Sequence, residues 1–232
     1  MSHNAKDILG EALVDYYNGV DQSLMVNNKY GDPEEMPIEV FFRDKEDLTD
    51  LEKTAILHCK GTILDVGSGA GAITVMLQEN FDTTAIESSE GACQVMKELG
   101  VRNGITSNVF DYQGENYDTL LLLMNGIGIV GELNNLDMAL RHFSSMLSDD
   151  GQILLDSSDI SYLYEDVAKP VNKYFGQLSY QYDYKDQQGE WFEWLYVDIN
   201  TLKEHAEKAG LQVEILLEDD ADQYLARLTK KK

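Results

Sequence analysis

The sequence is poor in cysteine and in basic residues, and each shortage excludes a class of protein. Two cysteines are too few to staple a chain of 232 residues, so we expect a reducing setting. No apolar run approaches the roughly 18 residues needed to span a bilayer. The first 17 residues also lack the basic and apolar regions of a signal peptide. We therefore predict a cytoplasmic protein with no membrane segment.

Positive charge is scarce as well. Lys and Arg number 18 against 42 acidic residues, which gives a formal net charge of −24. Affinity for nucleic acids comes mostly from basic side chains that neutralise phosphates, and the one basic cluster here is the terminal run 230–232. This balance argues against a DNA or RNA substrate. The histidines and cysteines show no metal-ligand spacing, so we predict no metal site.

The length and the apolar content of 43% suffice for one large domain. From residue 61 onward, apolar strands such as "TILDV", "TTAIE" and "YDTLLLLMN" alternate with helical segments of about ten residues. This rhythm predicts an α/β fold with a mostly parallel sheet. Residues 1–60 have helical and irregular patterns, and we predict that they form a helical N-terminal cap, or lid, over a domain of residues 61–232.

The rhythm changes after Asp156. The stretch "YFGQLSYQYDYKDQQGEWFEWLYVD" predicts two strands around a turn, an inserted β-hairpin at about residues 172–197, with Tyr180, Tyr182 and Tyr184 on one face. A helix over "NTLKEHAEKAG" follows, and "LQVEILLED" and "QYLARLT" form a closing pair of strands.

The stretch "TILDVGSGAGAIT" has three glycines within five residues, at the point where a strand passes into a helix. Such a loop lets a ligand approach the backbone, next to the free amides of a helix N-terminus. Polar residues end the neighbouring strands, and parallel topology brings these ends to one edge of the sheet. They are Asp65, Glu87, Asp111, Asn125 and Asp156. Glu87 suits two ribose hydroxyls and Asp111 suits an adenine amine, so the edge matches adenosine with a zwitterionic tail.

Two cofactors satisfy much of this description. A dinucleotide such as NAD also needs a glycine loop and an acid about 20 residues later. Asp65, however, can accept from a ligand ammonium and would repel a pyrophosphate. The chain also closes with a hairpin instead of a second nucleotide-binding half. These features favour S-adenosylmethionine, while an NAD-type oxidoreductase stays an alternative.

The motifs "LDVGSGAG", Glu87, "VFD" and "DTLLLLMNGIG" resemble those of the class I S-adenosylmethionine-dependent methyltransferases, in a bacterial branch whose acceptor is unassigned. The resemblance implies a Rossmann-like seven-stranded sheet of order 3-2-1-4-5-7-6 with the last strand antiparallel. It implies S-adenosylmethionine as cofactor and S-adenosylhomocysteine as product. The family's "NPPY"-type motif is absent at Asn125, which argues against methylation of DNA bases or glutamine.

The resemblance also implies roles for single residues. Asp65 and the loop of Gly67, Ser68, Gly69 and Gly71 hold the methionine end of the cofactor. Glu87 with Ser88 holds the ribose, and Phe110 and Asp111 hold the adenine. Asn125 and Gly126 lie near the sulfonium.

We predict in-line methyl transfer to a small-molecule acceptor, an alignment task that does not require an obvious general base. Candidates for a base are Asp159, His142 and Tyr16. Candidates for contacting the acceptor are Arg43, Tyr182, Tyr184 and Trp191. The alternatives are a surface ion pair for Arg43, a solvent-facing position for His142 and hydrophobic packing for the aromatic residues. A non-catalytic module that binds the nucleoside is a further alternative for the whole protein.

Overall fold

The computed structural model describes residues 6–114 and 116–231, so residues 1–5 of the predicted cap lie outside the described part. The helices are α1 (Ile8–Tyr17), α2 (Asp50–His58), α3 (Ala72–Leu77), α4 (Glu90–Glu98), α5 (Leu136–Met146) and α6 (Ile199–Lys208). The strands are β1 (Leu24–Asn28), β2 (Glu34–Met36), β3 (Thr62–Val66), β4 (Asp82–Glu87), β5 (Gly104–Thr106), β6 (Tyr117–Leu122), β7 (Leu147–Ser158), β8 (Gln177–Tyr184), β9 (Gln187–Gln188), β10 (Phe192–Leu195), β11 (Leu211–Glu218) and β12 (Gln223–Lys230).

The main sheet has the predicted strand order. Its seven strands run β11-β12-β7-β6-β3-β4-β5, and β12 is antiparallel to both of its neighbours. Counted along the chain from β3, this is the order 3-2-1-4-5-7-6 with the last strand antiparallel, which confirms the prediction. The order reverses between β3 and β6, so a crevice opens above their carboxyl ends.

The core lies on both faces of the main sheet because its central strands are apolar on both sides. Alternate residues of β3 and β6, such as Leu64 and Leu120, pack on one face with α5 and α6. Their neighbours Ile63 and Leu121 pack on the other face with α2. Side chains buried at helical spacing bind α5 to the first face, from Leu136 to Met146.

The N-terminal segment is a mixed structure, so the predicted helical cap was incomplete. Besides α1 and α2 it contains β1 and β2, which join the inserted hairpin in a second sheet of order β10-β8-β1-β2, with β9 on β8. The hairpin itself is present, with β8 and β10 antiparallel. The sequences "LMVNN" and "EEM" lack strand periodicity. β1 becomes a strand by pairing with β8, far along the chain, and β2 by pairing with β1.

One face of the second sheet covers the carboxyl edge of the main sheet. We call it the tyrosine face; its β8 and β10 residues include Tyr180, Tyr182, Tyr184, Phe192 and Trp194. At one end Tyr184 is buried in a cluster with α1, α4 and the glycine loop. At the other end the Trp194 indole packs directly over Gly128, where an added Cβ would lie 2.1 Å from Nε1.

Helix α1 is fixed to α4 at a glycine contact. An added Cβ on Gly91 would lie 2.5 Å from the carbonyl carbon of Gly10. Asp7 caps α1 through the Gly10 amide and also accepts hydrogen bonds from the Ser89 hydroxyl and the Gly91 amide. The cap is thereby held beside the end of β4.

Candidate functional site

The glycine loop between β3 and α3 has a backbone that other residues rarely adopt. Gly67, Gly69 and Gly71 have φ values of +68°, +56° and +86°. A Cβ on Gly71 would collide with Met96, so that glycine serves packing. At Gly67 the nearest atom to such a Cβ is a methyl carbon of Ile129, 4.0 Å away. The space above Gly67 is therefore open to a ligand, as a cofactor cradle requires.

Glu87, at the end of β4, is held by backbone amides. Its Oε2 accepts from the Gly69 amide at 3.0 Å, and its Oε1 accepts from Ser88 and Ser89 at 2.7 and 2.9 Å. The carboxylate therefore stands fixed between the glycine loop and the start of α4. Oε1 is thus occupied by two amides, whereas Oε2 has a single donor and keeps a lone pair that can accept from a ligand hydroxyl.

Asp65, at the end of β3, is 5% exposed and accepts a hydrogen bond of 2.5 Å from the Thr74 hydroxyl on α3. Burial raises the pKa of Asp65 to about 6; the Thr74 hydrogen bond works against this rise and the Glu87 charge adds to it. A cation beside Asp65 would favour its ionised form. The site thus combines two acids with a bare backbone.

The turn after β6 is held by hydrogen bonds to β7 and β10. Asn125 has φ +54°, and its amide donates to Asp156 at 2.8 Å. Its side chain accepts from the Ser157 hydroxyl and donates to the Leu195 carbonyl on β10. Burial raises the pKa of Asp156 to about 7, against the opposing hydrogen bonds from the Asn125 and Gly126 amides. The side chain and the main chain of Asn125 are thus both hydrogen-bonded within the protein, since the Asn125 carbonyl also accepts from the Gly128 amide at 2.9 Å.

The residues predicted for adenine lie on a short turn after β5. Phe110 is 36% exposed, and its ring centroid lies 5.8 Å from that of Phe143 on α5. Asp111 is exposed on the same turn. His142 is hydrogen-bonded through Nε2 to the Val109 carbonyl at 2.8 Å, so it supports this turn. That position is beside the predicted adenine region and away from the tyrosine face.

Comparisons with known proteins agree with this geometry. A family profile described as a methyltransferase domain matches residues 39–216. A SAM-dependent methyltransferase from Bacteroides fragilis, crystallised with S-adenosyl-L-homocysteine, is 37% identical, with a TM-score of 0.90 and 100% of both chains covered. The chain belongs to the class I SAM-dependent methyltransferases. This membership decides between the two cofactors that the glycine loop left open, in favour of S-adenosylmethionine and against an NAD-type oxidoreductase.

More distant structures share the fold of this methyltransferase. A S-adenosylmethionine-dependent methyltransferase from Clostridium acetobutylicum is 13% identical, with a TM-score of 0.62, and 81% of this chain and 94% of that chain are covered. A sugar N-methyltransferase from a Streptoalloteichus species is 16% identical, with a TM-score of 0.58 and coverages of 88% and 97%. A search of curated protein sequences gave no match.

Two predicted acceptor residues of the methyltransferase are engaged elsewhere. The Arg43 guanidinium forms a bidentate ion pair with Glu52, whose side chain is 3% exposed, and also donates to the Val40 carbonyl. Tyr184 is 1% exposed and donates its hydroxyl to Asp15. The structure therefore does not bring either side chain to the crevice. Arg43 forms an ion pair, but a largely buried one instead of the predicted surface pair, and Tyr184 anchors the second sheet.

The remaining candidates lie at the margins. Trp191 is 45% exposed, with the Lys29 ammonium 5.0 Å from its ring centroid. Tyr16 is 39% exposed and packs on Phe42. Asp159 accepts from the Ser161 amide and so stabilises a turn. Of the acceptor candidates, Tyr182 alone lies half-buried on the tyrosine face.

Sequence reasoning missed several residues around the crevice. Phe41 approaches Gly69 so closely that a Cβ there would lie 3.0 Å from its ring. Tyr196 places its hydroxyl 3.3 Å from that of Tyr180. Glu34 lies on β2, in register with the tyrosine face through β1. Tyr196 lies within the stretch predicted as the inserted hairpin, whereas the sequence contains no signal for Phe41 or Glu34.

Among residues 6–114 and 116–231, no group of three or more His, Cys, Asp or Glu side chains could hold a metal ion. In the same described ranges, each helix is too short or too polar to cross a membrane.

Proposed function

We propose that this protein binds S-adenosylmethionine along the carboxyl edge of the main sheet and transfers its methyl group to a small-molecule acceptor. Glu87 holds the ribose, the main chain of Gly67–Gly71 and Asp65 lie at the methionine end, and Phe110 and Asp111 flank the adenine. The observation that carries this proposal is the Glu87 carboxylate, fixed by three amides beside an open glycine cradle. The relative crystallised with S-adenosyl-L-homocysteine supports it.

The chain's own contribution to the reaction is alignment. S-adenosylmethionine, when bound, supplies a methyl group already activated by the positive sulfonium. Residues at the sheet edge then fix one reactant, and the tyrosine face holds the other and excludes water. Such orientation can contribute about 7–11 kcal/mol to lowering a barrier. An in-line arrangement of acceptor, methyl and sulfur therefore does not need a strong base.

A small acceptor fits the surroundings of the crevice. The second sheet covers the edge with aromatic side chains, and the tyrosine face contains no Lys or Arg among the described residues. A nucleic-acid acceptor would meet a chain of net charge −24. The partner that these features favour is an uncharged or cationic metabolite.

The test is calorimetric titration with S-adenosylhomocysteine. We expect one site per chain in the wild type and at least about tenfold weaker binding in Glu87→Gln. The substitution removes the charge-assisted hydrogen bonding between the Glu87 carboxylate and the ribose. Glu98→Gln, an exposed change on α4, is the matched control and should bind like the wild type. Absence of binding to the wild type would refute the cofactor assignment.

The non-catalytic alternative is tested separately. Transfer of labelled methyl from S-adenosylmethionine to any member of a metabolite library would exclude a pure binding module. A protein that binds S-adenosylhomocysteine but methylates nothing across amines, alcohols, thiols and carboxylates would be such a module.

A further inference from the structure

The burial of side chains on the tyrosine face changes from one row to the next, where a row is a set of residues that strand pairing places side by side. Leu24 pairs with Tyr184, and both are buried. In the next row Glu34, Val26 and Tyr182 stand side by side on β2, β1 and β8. The two ends of the face are thus packed against the protein, at Tyr184 and at Trp194 over Gly128, while the rows between them are half-buried above the crevice.

The middle rows present rings and hydroxyl groups. The Phe192 ring lies 5.1 Å from Tyr182 and 6.2 Å from Tyr180, centroid to centroid. The Tyr180 hydroxyl is paired with Tyr196, but that of Tyr182 has no hydrogen-bond partner among the described residues. Since no buried side-chain oxygen or nitrogen of the described residues lacks a partner, the Tyr182 hydroxyl is reached by solvent and is free to hydrogen-bond a ligand.

The tyrosine hydroxyls are not bases at neutral pH. Burial raises the pKa of Tyr182 to about 12, and the Glu87 charge adds to the rise. Burial likewise raises the pKa of Tyr180 and Tyr196, with a smaller contribution from Glu34. An alcohol or phenol acceptor would need a base to remove its proton, whereas an amine already has a lone pair once it is neutral.

Charge on this face is negative. Glu34 is exposed at the end of its row, and its carboxylate acts on Tyr180 and Tyr196 across the middle rows. A carboxylate acceptor would be repelled by Glu34 and would meet no cation on the described tyrosine face. Aromatic rings and a carboxylate together attract an ammonium group.

We propose that the methyl acceptor is a basic amine, bound between Glu34 and the aromatic rings of Tyr180, Tyr182 and Phe192, and that the enzyme is an N-methyltransferase. This inference rests on the proposed function. The bound ammonium first gives one proton to solvent at the exposed Glu34 end. The nitrogen lone pair then forms the N–CH3 bond as the S–CH3 bond breaks. The electron pair of that bond stays on sulfur, which leaves neutral S-adenosylhomocysteine and a methylated ammonium.

Three probes that share a phenylethyl group test the proposal: 2-phenylethylamine, 2-phenylethanol and 3-phenylpropanoate, which carry a positive, zero and negative charge at neutral pH. Each is titrated into the complex with S-adenosylhomocysteine. We expect the amine to bind at least about tenfold more tightly than the other two. In Glu34→Gln this affinity should fall at least about fivefold, because the ion pair is lost.

Glu35→Gln is the matched control, since Glu35 is the next residue of the same strand, faces the opposite side and accepts a hydrogen bond from Ser23. It should keep the affinity of the wild type for the amine. S-adenosylhomocysteine affinity is measured first for each variant, so failure of the cofactor assignment appears as a separate result. Equal or tighter binding of the alcohol or the carboxylate, no binding of the amine, or an unchanged affinity in Glu34→Gln would overturn the proposal.

Discussion

At the scale of single residues, the glycine loop divides its work between packing and binding. Gly71 has a left-handed φ and stands against Met96, whereas Gly67 has a left-handed φ and stands against open space. The sequence presents both as members of one motif. Their surroundings separate them, because the neighbour of Gly71 is part of α4 and the neighbour of Gly67 is the crevice.

Gly67→Ala tests this division. The new methyl group would enter the cradle, so we expect S-adenosylhomocysteine affinity to fall at least about tenfold by calorimetry. Because an alanine side chain is disfavoured at the positive φ of Gly67, the substitution should also lower the free energy of unfolding by about 1 kcal/mol. Gly100→Ala is the control, since Gly100 has φ +88° and nothing within 4 Å of an added Cβ. It should show the loss of stability alone; equal loss of binding in both variants would contradict the cradle.

At the scale of elements, the second sheet depends on two anchors. The Tyr184 hydroxyl and the Lys185 ammonium both bind Asp15 on α1, which fixes one end. The Trp194 indole on Gly128 fixes the other, and the Asn125 side chain ties β10 to the turn after β6. The position of the tyrosine face is therefore coupled to the turn that borders the crevice.

Gly128→Ala should displace the Trp194 indole from its packing position over residue 128. An added Cβ would lie 2.2 Å from Cε2 of Trp194, so the ring must move, at a cost of about 1–3 kcal/mol. The chain has two tryptophans, and Trp191→Phe makes Trp194 the sole reporter. In that background we expect a red-shifted emission and a lower Tm. Gly31→Ala, where the nearest atom lies 3.8 Å away, is the control and should change neither. Unchanged emission in Gly128→Ala would contradict the packing.

At the scale of the whole molecule, two buried carboxyl groups give the stability a dependence on pH. Asp65 and Asp156 have pKa values raised to about 6 and about 7 by burial. The folded state therefore holds more protons than the unfolded state between about pH 4 and pH 7, and stability falls as the pH rises through that window. The acids with lowered pKa values, such as Asp118 and Asp198, titrate below this range.

Thermal unfolding measured from pH 5 to pH 8 should show this slope. We expect the Tm to fall as the pH rises, by roughly 2–4 °C for each kcal/mol lost. Asp156→Asn should flatten the curve above pH 6, since the amide oxygen can still accept from Asn125 without titrating. Asp149→Asn, an exposed position on the same strand, should keep the slope of the wild type. A Tm that rises over this range would refute the assignment.

Much of the molecule could be predicted from the sequence because its main sheet is locally encoded. Strands such as "TILDV" and "LLLLM" are apolar on both faces, and the polar residue at each carboxyl end marks the site edge. The second sheet could not be predicted in full, since β1 becomes a strand by pairing with the distant β8, and β2 by pairing with β1. The engagement of Arg43 with Glu52 was equally hidden, because it depends on the packing of α2.

The partnership of β1 with β8 has a consequence for biosynthesis. A ribosome releases Leu24–Asn28 long before Gln177–Tyr184, so for most of translation the earlier strand has no hydrogen-bonding mate on that side. During that time the unpaired edge of β1 must not pair with strands of other chains. Strand β12 follows β8 and β10 in the chain and pairs with β7 and β11, so the main sheet, too, is completed only after the second sheet has its last strand.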